Sequence, residues 1–167
     1  MTAVTRSDLP EGYGSFVEAL KARIRDAQIK AALAVNRELL TLYWNIGREI
    51  VERQGTEGWG GRVLERLADD LQRAFPAVAG FSRTNVYRMR AFYLAYPSKV
   101  GGSEVVPQLV GQLAQTLPAT IADLPWGHHA VLLERVKEPT VREWYAREAS
   151  AHGWSRAHAC PDSVGRA

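Results

Sequence analysis

The chain has 167 residues, of which 46% are hydrophobic, a formal net charge of +3 and a single cysteine, Cys160. That length suits one domain with a real core, and one cysteine leaves no intramolecular disulfide, which fits a reducing, cytoplasmic setting. No run approaches the roughly 18 apolar residues of a membrane span, the polar start MTAVTRSDLPEGYGS does not read as a signal peptide, and so small a net charge does not by itself imply a nucleic-acid partner.

In chain order, residues 1–14 read as a disordered N-terminus. Ser15 is placed to cap a helix that starts at Phe16. Phe16, Leu20, Ile24 and Ala27 follow at helical spacing, and Val35, Leu39, Leu42, Tyr43, Ile46 and Ile50 continue the rhythm. No proline interrupts residues 15–54, so one long helix or two nearly continuous ones are expected, ended by QGTEGWGG (54–61). A second helix is expected over about 62–75, with Val63, Leu64, Leu67, Ala68, Leu71 and Phe75 on one stripe. Pro76 disfavours helix in the residue before it, and after a five-residue break (76–80) Ser82 supplies a side-chain cap for a third helix running to Tyr96. A short segment at 104–116, a helix at 127–137 and a last one at 139–151, with Pro139 at its first position, complete the series. The tail 157–167 reads as disordered. The expected fold is all-α: a long N-terminal helix or helix pair, a helix-turn-helix-like unit, and two or three short C-terminal helices, together filling residues 15–156.

Charge is unevenly distributed. Between Asp70 and Glu104 there is no acid, while Arg73, Arg83, Arg88, Arg90 and Lys99 fall in that interval; removing those 5 bases from 21 leaves 16 bases against 18 acids elsewhere. At about 100° per residue the third helix divides into two faces. Phe92, Asn85, Tyr96, Met89, Tyr93 and Val86 share the inner one. Arg83, Thr84, Tyr87, Arg88 and Arg90 share the other. An amphipathic helix, a break, then a capped helix with a basic outer face is the pattern of a helix-turn-helix, whose second helix enters the major groove by its N-terminal end. Arg83, Thr84, Tyr87 and Arg88 are then the candidates for base edges. Arg73, Arg90 and Lys99 are the candidates for phosphate contacts, and Ser82 with the free amides of the first turn could hold a phosphate.

Other chemistry finds little support. His128 and His129 diverge around a helix, and His152 and His158 lack partners at ligand spacing, so no metal and no cofactor is expected. Trp126, Trp144, Trp154 and Tyr145 read as a small core around the last helices, and Glu134, Glu138 and Glu143 as surface pairs. There is no phosphate-binding glycine loop, no nucleophile motif and no acidic cluster of the kind a metal-dependent nuclease needs. No small-molecule substrate is evident.

Five stretches carry a resemblance: AVNRELLTLYWNIGREIVERQ (34–54), GWGGRVLERLADDLQRAFP (58–76), GFSRTNVYRMRAFYLAYP (80–97), LPWGHHAVLLERVKEP (124–139) and REWYAREASAHGWSR (142–156). Together they resemble the N-terminal domain of the YhcG-type bacterial nuclease family, the N-terminal part of domain of unknown function 1016. The resemblance implies a helical, DNA-binding targeting domain that a PD-(D/E)xK-type nuclease domain follows. Here the text after GWSR turns to AHACPDSVGRA, unlike the expected continuation, as a truncated or frameshifted gene would give. The expectation is therefore a chain that binds duplex DNA and is not itself an enzyme. The alternative is an interaction module whose 15–53 helix pairs with itself or with a separate nuclease subunit through Leu39, Leu42, Tyr43, Ile46 and Ile50.

Overall fold

The computed structural model describes residues 12–96 and 117–156; Lys99, the segment expected at 104–116 and most of both termini lie outside them. Among the described residues all regular elements are helical: α1 (Tyr13–Glu57), α2 (Gly61–Ala74), a 3-10 turn (Ala79–Phe81), α3 (Arg83–Ala95), α4 (Ala119–Ala122), α5 (Trp126–Arg135) and α6 (Pro139–His152). None of these helices is long and apolar enough to cross a membrane. The long proline-free stretch is one helix, not two. It begins ahead of Ser15, whose hydroxyl donates to the Gly12 carbonyl (2.8 Å) and so does not cap it. Pro139 is at the first turn of α6, as its fixed φ favours, and Gly153 closes that helix in the left-handed region (φ +62°).

The chain divides into two compact units, residues 1–35 and 36–167. In the first, the described residues form the start of α1, and its large apolar side chains, Phe16, Leu20, Ile24, Ile29, Leu33 and Val35, are exposed.

The second unit contains the core, and α3 runs through its middle. Val86 packs with Ile50, Leu64 and Ala68; Met89 with Tyr43 and Phe81; Phe92 with Leu40, Trp44, Leu132 and Ala149. These three α3 residues are fully buried, as the helical wheel placed them. Gly47 lets α1 meet α3 backbone to backbone, since a Cβ there would run into the Met89 carbonyl. Gly80 likewise makes room for the Tyr43 hydroxyl.

Three expectations need correction. Leu39, Tyr43, Ile46 and Ile50 do not form an intermolecular seam: they are packed inside this unit's own clusters, and of the five only Leu42 is exposed. The α2 stripe is narrower than its spacing suggests, because Val63 lies at its edge and Phe75 lies past the last helical turn; both are exposed. Trp144 is 45% exposed, in edge contact with Tyr145 and Trp154 but not inside a core.

His129 is fully buried against Phe92 and Tyr96, and its Nε2–H donates to the Ile121 carbonyl (2.9 Å). Burial pushes its pKa down from 6.5 to about 4. The unfolded chain therefore takes up the proton first on acidification. Stability is full above about pH 6.5 and falls as the pH drops toward about 4, by about 3 kcal/mol in all. Urea midpoints measured down this pH range should fall more steeply for the wild type than for His129→Gln; equal slopes would contradict this account.

Candidate nucleic-acid interface

The start of α3 is built by a short chain of local contacts. Ser82 has extended backbone, and its Oγ accepts from the Asn85 amide (3.2 Å) while its carbonyl accepts from the Val86 amide (2.9 Å). The amides of Arg83 and Thr84 precede these at the helix start, where no intrahelical acceptor is in reach. Eight residues, 75–82, join α2 to α3, longer than the five-residue break read from the sequence and containing a 3-10 turn. Asn85, the polar residue on the inner face, holds this connection in place. Its Nδ2 donates to the Gly80 carbonyl (2.5 Å), and its Oδ1 accepts from Trp126 Nε1 (2.8 Å). Buried on both sides, it locks the turn to α5; its spacing alone gave no sign of this role.

The outer face carries the candidates in a definite arrangement. Arg83 is bound side-on by Asp69 of α2, Nε to Oδ1 at 3.0 Å and Nη2 to Oδ2 at 2.8 Å, with Glu65 at 3.9 Å from Nη1. The hydrogen bonds from Arg83 hold the Asp69 carboxyl below its ordinary range; burial opposes them, and the charges of Arg83, Arg73 and Arg66 add to the lowering. Thr84 is exposed beside it. Tyr87, 41% exposed, donates its hydroxyl to the Gly61 carbonyl at the start of α2 (3.3 Å). Arg88 reaches across to α5, where its Nε and Nη2 bond Glu134 Oε1. These bonds and the Arg88 charge hold the Glu134 carboxyl below its ordinary range. Arg83, Thr84 and Tyr87 are thus exposed on the outer face of the N-terminal half of α3, with the half-buried Arg88 turned toward α5 beside them.

The remaining candidates are elsewhere. Arg90 is half-buried and donates to Gln54 Oε1 of α1 (2.5 Å). Arg73 lies at the end of α2 on Asp70, which Arg66 also holds. An interval without acids in the sequence is therefore not a surface without acids. Asp69, Asp70 and Glu134 come from outside the interval or from its edge and meet Arg83, Arg73 and Arg88. The surface pairing read for Glu134 is real; its partner, 46 residues away, was not legible.

Among the described residues no three His, Cys, Asp or Glu side chains are grouped so as to hold a metal ion. His128 and His129 point apart, His128 Nε2 to the Trp154 carbonyl (2.7 Å) and His129 to that of Ile121.

The fold defines the class first: an all-helical domain whose central helix is cradled by three others and turns an arginine-bearing edge outward. More narrowly, the chain belongs to the DUF1016 N-terminal domain family, which matches residues 19–159. It is 30% identical over 162 residues to a protein of Escherichia coli (strain K12) named "Putative nuclease YhcG", the match covering 86% of this chain. The chain spans 42% of that relative's length. No solved structure matches it.

Proposed function

We propose that this domain binds duplex DNA as the targeting part of a nuclease system, with α2 and α3 acting as a helix-turn-helix and the N-terminal half of α3 entering the major groove. The observation that carries this reading is the outer face at the capped start of α3, where Arg83, Thr84 and Tyr87 are exposed beside the half-buried Arg88. It offers two guanidinium groups, a hydroxyl, a phenol and two amides in one place. Arg73 at the end of α2 and Arg90 farther along α3 serve in this reading as backbone contacts, and Lys99 belongs to the same proposal. The relative's name adds weight, since a nuclease must hold its nucleic acid. Catalysis belongs, in this reading, to the part of the relative that the chain does not match.

The ion pairs on the edge do not oppose binding strongly. An exposed pair is worth about 0–1 kcal/mol, so parting Arg88 from Glu134 costs little, and an arginine bidentate on guanine discriminates against the wrong base by about 1–3 kcal/mol. Arg83 is held on both sides, by Asp69 on Nε and Nη2 and by Glu65 near Nη1, but these pairs are exposed and so cost little to part.

Fluorescence anisotropy with a labelled random duplex, titrated at several salt concentrations, tests this reading. Four or five phosphate contacts give a slope of log affinity against log salt near −4, at about −0.9 per contact. A folded chain that ignores DNA even at low salt would reject it.

A further inference from the structure

At the start of α3 the arginines are met by as much negative charge as they carry, and more. Arg83 faces two acids of α2, Asp69 at 2.8 Å and Glu65 at 3.9 Å, and Arg88 faces Glu134 of α5. Three carboxylates therefore stand against two guanidinium groups. The hydrogen bonds from the two arginines hold the Asp69 and Glu134 carboxyls below their ordinary range, so both stay ionised at neutral pH. Parting these exposed pairs costs little, but parting does not remove the acids: their charges remain beside whatever the arginines touch. The candidates for backbone contact have the opposite balance. Arg73 and Arg66 share Asp70, and Arg90 bonds the neutral Gln54. A surface that only held phosphates would gain from bare cations, and the start of α3 is where the bare cations are missing.

A carboxylate beside an arginine has a use that phosphate contact lacks. In the major groove a guanine presents two acceptors, N7 and O6, and its cytosine presents a donor, the N4 amino group. Arginine donates to the first two, and Asp or Glu accepts from the third. Arg83 with Asp69 and Arg88 with Glu134 each bring a donor fork and an acceptor together, joined from the arginine Nε at 3.0 Å in both cases. An A·T pair in the same orientation shows a donor, adenine N6, where guanine has O6, and an acceptor, thymine O4, where cytosine has its amino group. It opposes both halves of the pair at once. Exchange to the isosteric amides keeps an acceptor for each arginine and removes the charge, which separates this use from a purely structural tie between α3 and its neighbours.

We propose that Asp69 and Glu134 are specificity-determining residues: each arginine–carboxylate pair reads a G·C base pair as a unit, guanidinium on guanine and carboxylate on cytosine, and its cancelled charge keeps the site from settling on phosphate alone. This rests on the DNA-binding reading above and adds to it which bases are read.

The test compares the full chain with Asp69→Asn and Glu134→Gln, singly and together. Anisotropy measures binding to a random duplex, and selection from a pool of randomised duplexes followed by sequencing measures preference. The wild type should enrich G·C pairs at fixed positions, and changing one of them to A·T should weaken binding by roughly five- to a hundredfold. The double variant should bind the random duplex about tenfold more tightly than the wild type and lose the enrichment. Each single variant should lose it at its own position only, so the comparison survives if the double variant does not fold, which circular dichroism checks. Folded variants with unchanged preference overturn the proposal, as do amide variants that bind random duplex no more tightly than the wild type. A wild type that binds every sequence alike overturns it too, while leaving the DNA-binding reading in place. If neither the wild type nor any variant binds duplex DNA, both fail together.

Discussion

Replacing Trp44 by Ala should destabilise the domain by about 4 kcal/mol, a large fraction of the stability of a domain this size. Trp44 is fully buried in the cluster formed with Leu40, Phe92 and Leu132, and its ring meets Tyr93 edge-on at 5.1 Å. Its Nε1–H donates to the Tyr96 carbonyl (2.8 Å), at the end of α3. Truncation removes the ring, leaves a cavity and strips a buried carbonyl of its donor, and these costs act together. Trp44→Phe keeps most of the volume and loses the hydrogen bond, so it should cost less. Urea unfolding followed by circular dichroism gives the order wild type, Trp44→Phe, Trp44→Ala. A loss below about 1 kcal/mol in the alanine variant would mean that the site collapses around it and that α1 does not fix α3 as described.

The second large effect is on binding. Arg83→Ala with Arg88→Ala should lower affinity for duplex DNA by about two decades, at about 1.4 kcal/mol or more per arginine, and should flatten the salt slope. The loss has two sources. Two cations leave the edge, and Asp69 and Glu134, now unpaired, repel the phosphate backbone. Both arginines pair only at the surface, so the fold should survive with little change. Arg53→Ala serves as the comparison, since Arg53 pairs with Glu49 and Glu57 at the far end of α1. If the two variants bind DNA equally well, the α3 edge is a solvated surface and not an interface.

How much of this was legible in the sequence depends on whether the cause is local. The two faces of α3 could be read because helical period and the Ser82 cap act within a few residues, and Val86, Met89 and Phe92 are buried as the wheel required. The long α1 could be read because nothing between residues 15 and 54 breaks a helix. Its division was not legible. Phe16, Leu20 and Ile24 have the same rhythm as Leu39, Tyr43 and Ile46, yet only the second set finds partners in the core. Periodicity shows that a face exists and not what covers it. The charge reading missed the acids that meet these arginines for a related reason. Arg88 and Glu134 are 46 residues apart, so packing alone brings them together. Gly47 inside α1 would count as a weak helix former from propensity; its value is the close approach to Met89, which only the folded chain reveals.

The most direct measurement is amide chemical-shift mapping of the ¹⁵N-labelled chain titrated with a short duplex. The amides of Arg83, Thr84, Tyr87 and Arg88 should shift first and furthest, with smaller changes at Arg73 and Arg90. Shifts centred on Arg23, Arg25 and Lys30, or no shifts at all from a folded protein at low salt, would contradict the assignment of DNA binding to the start of α3.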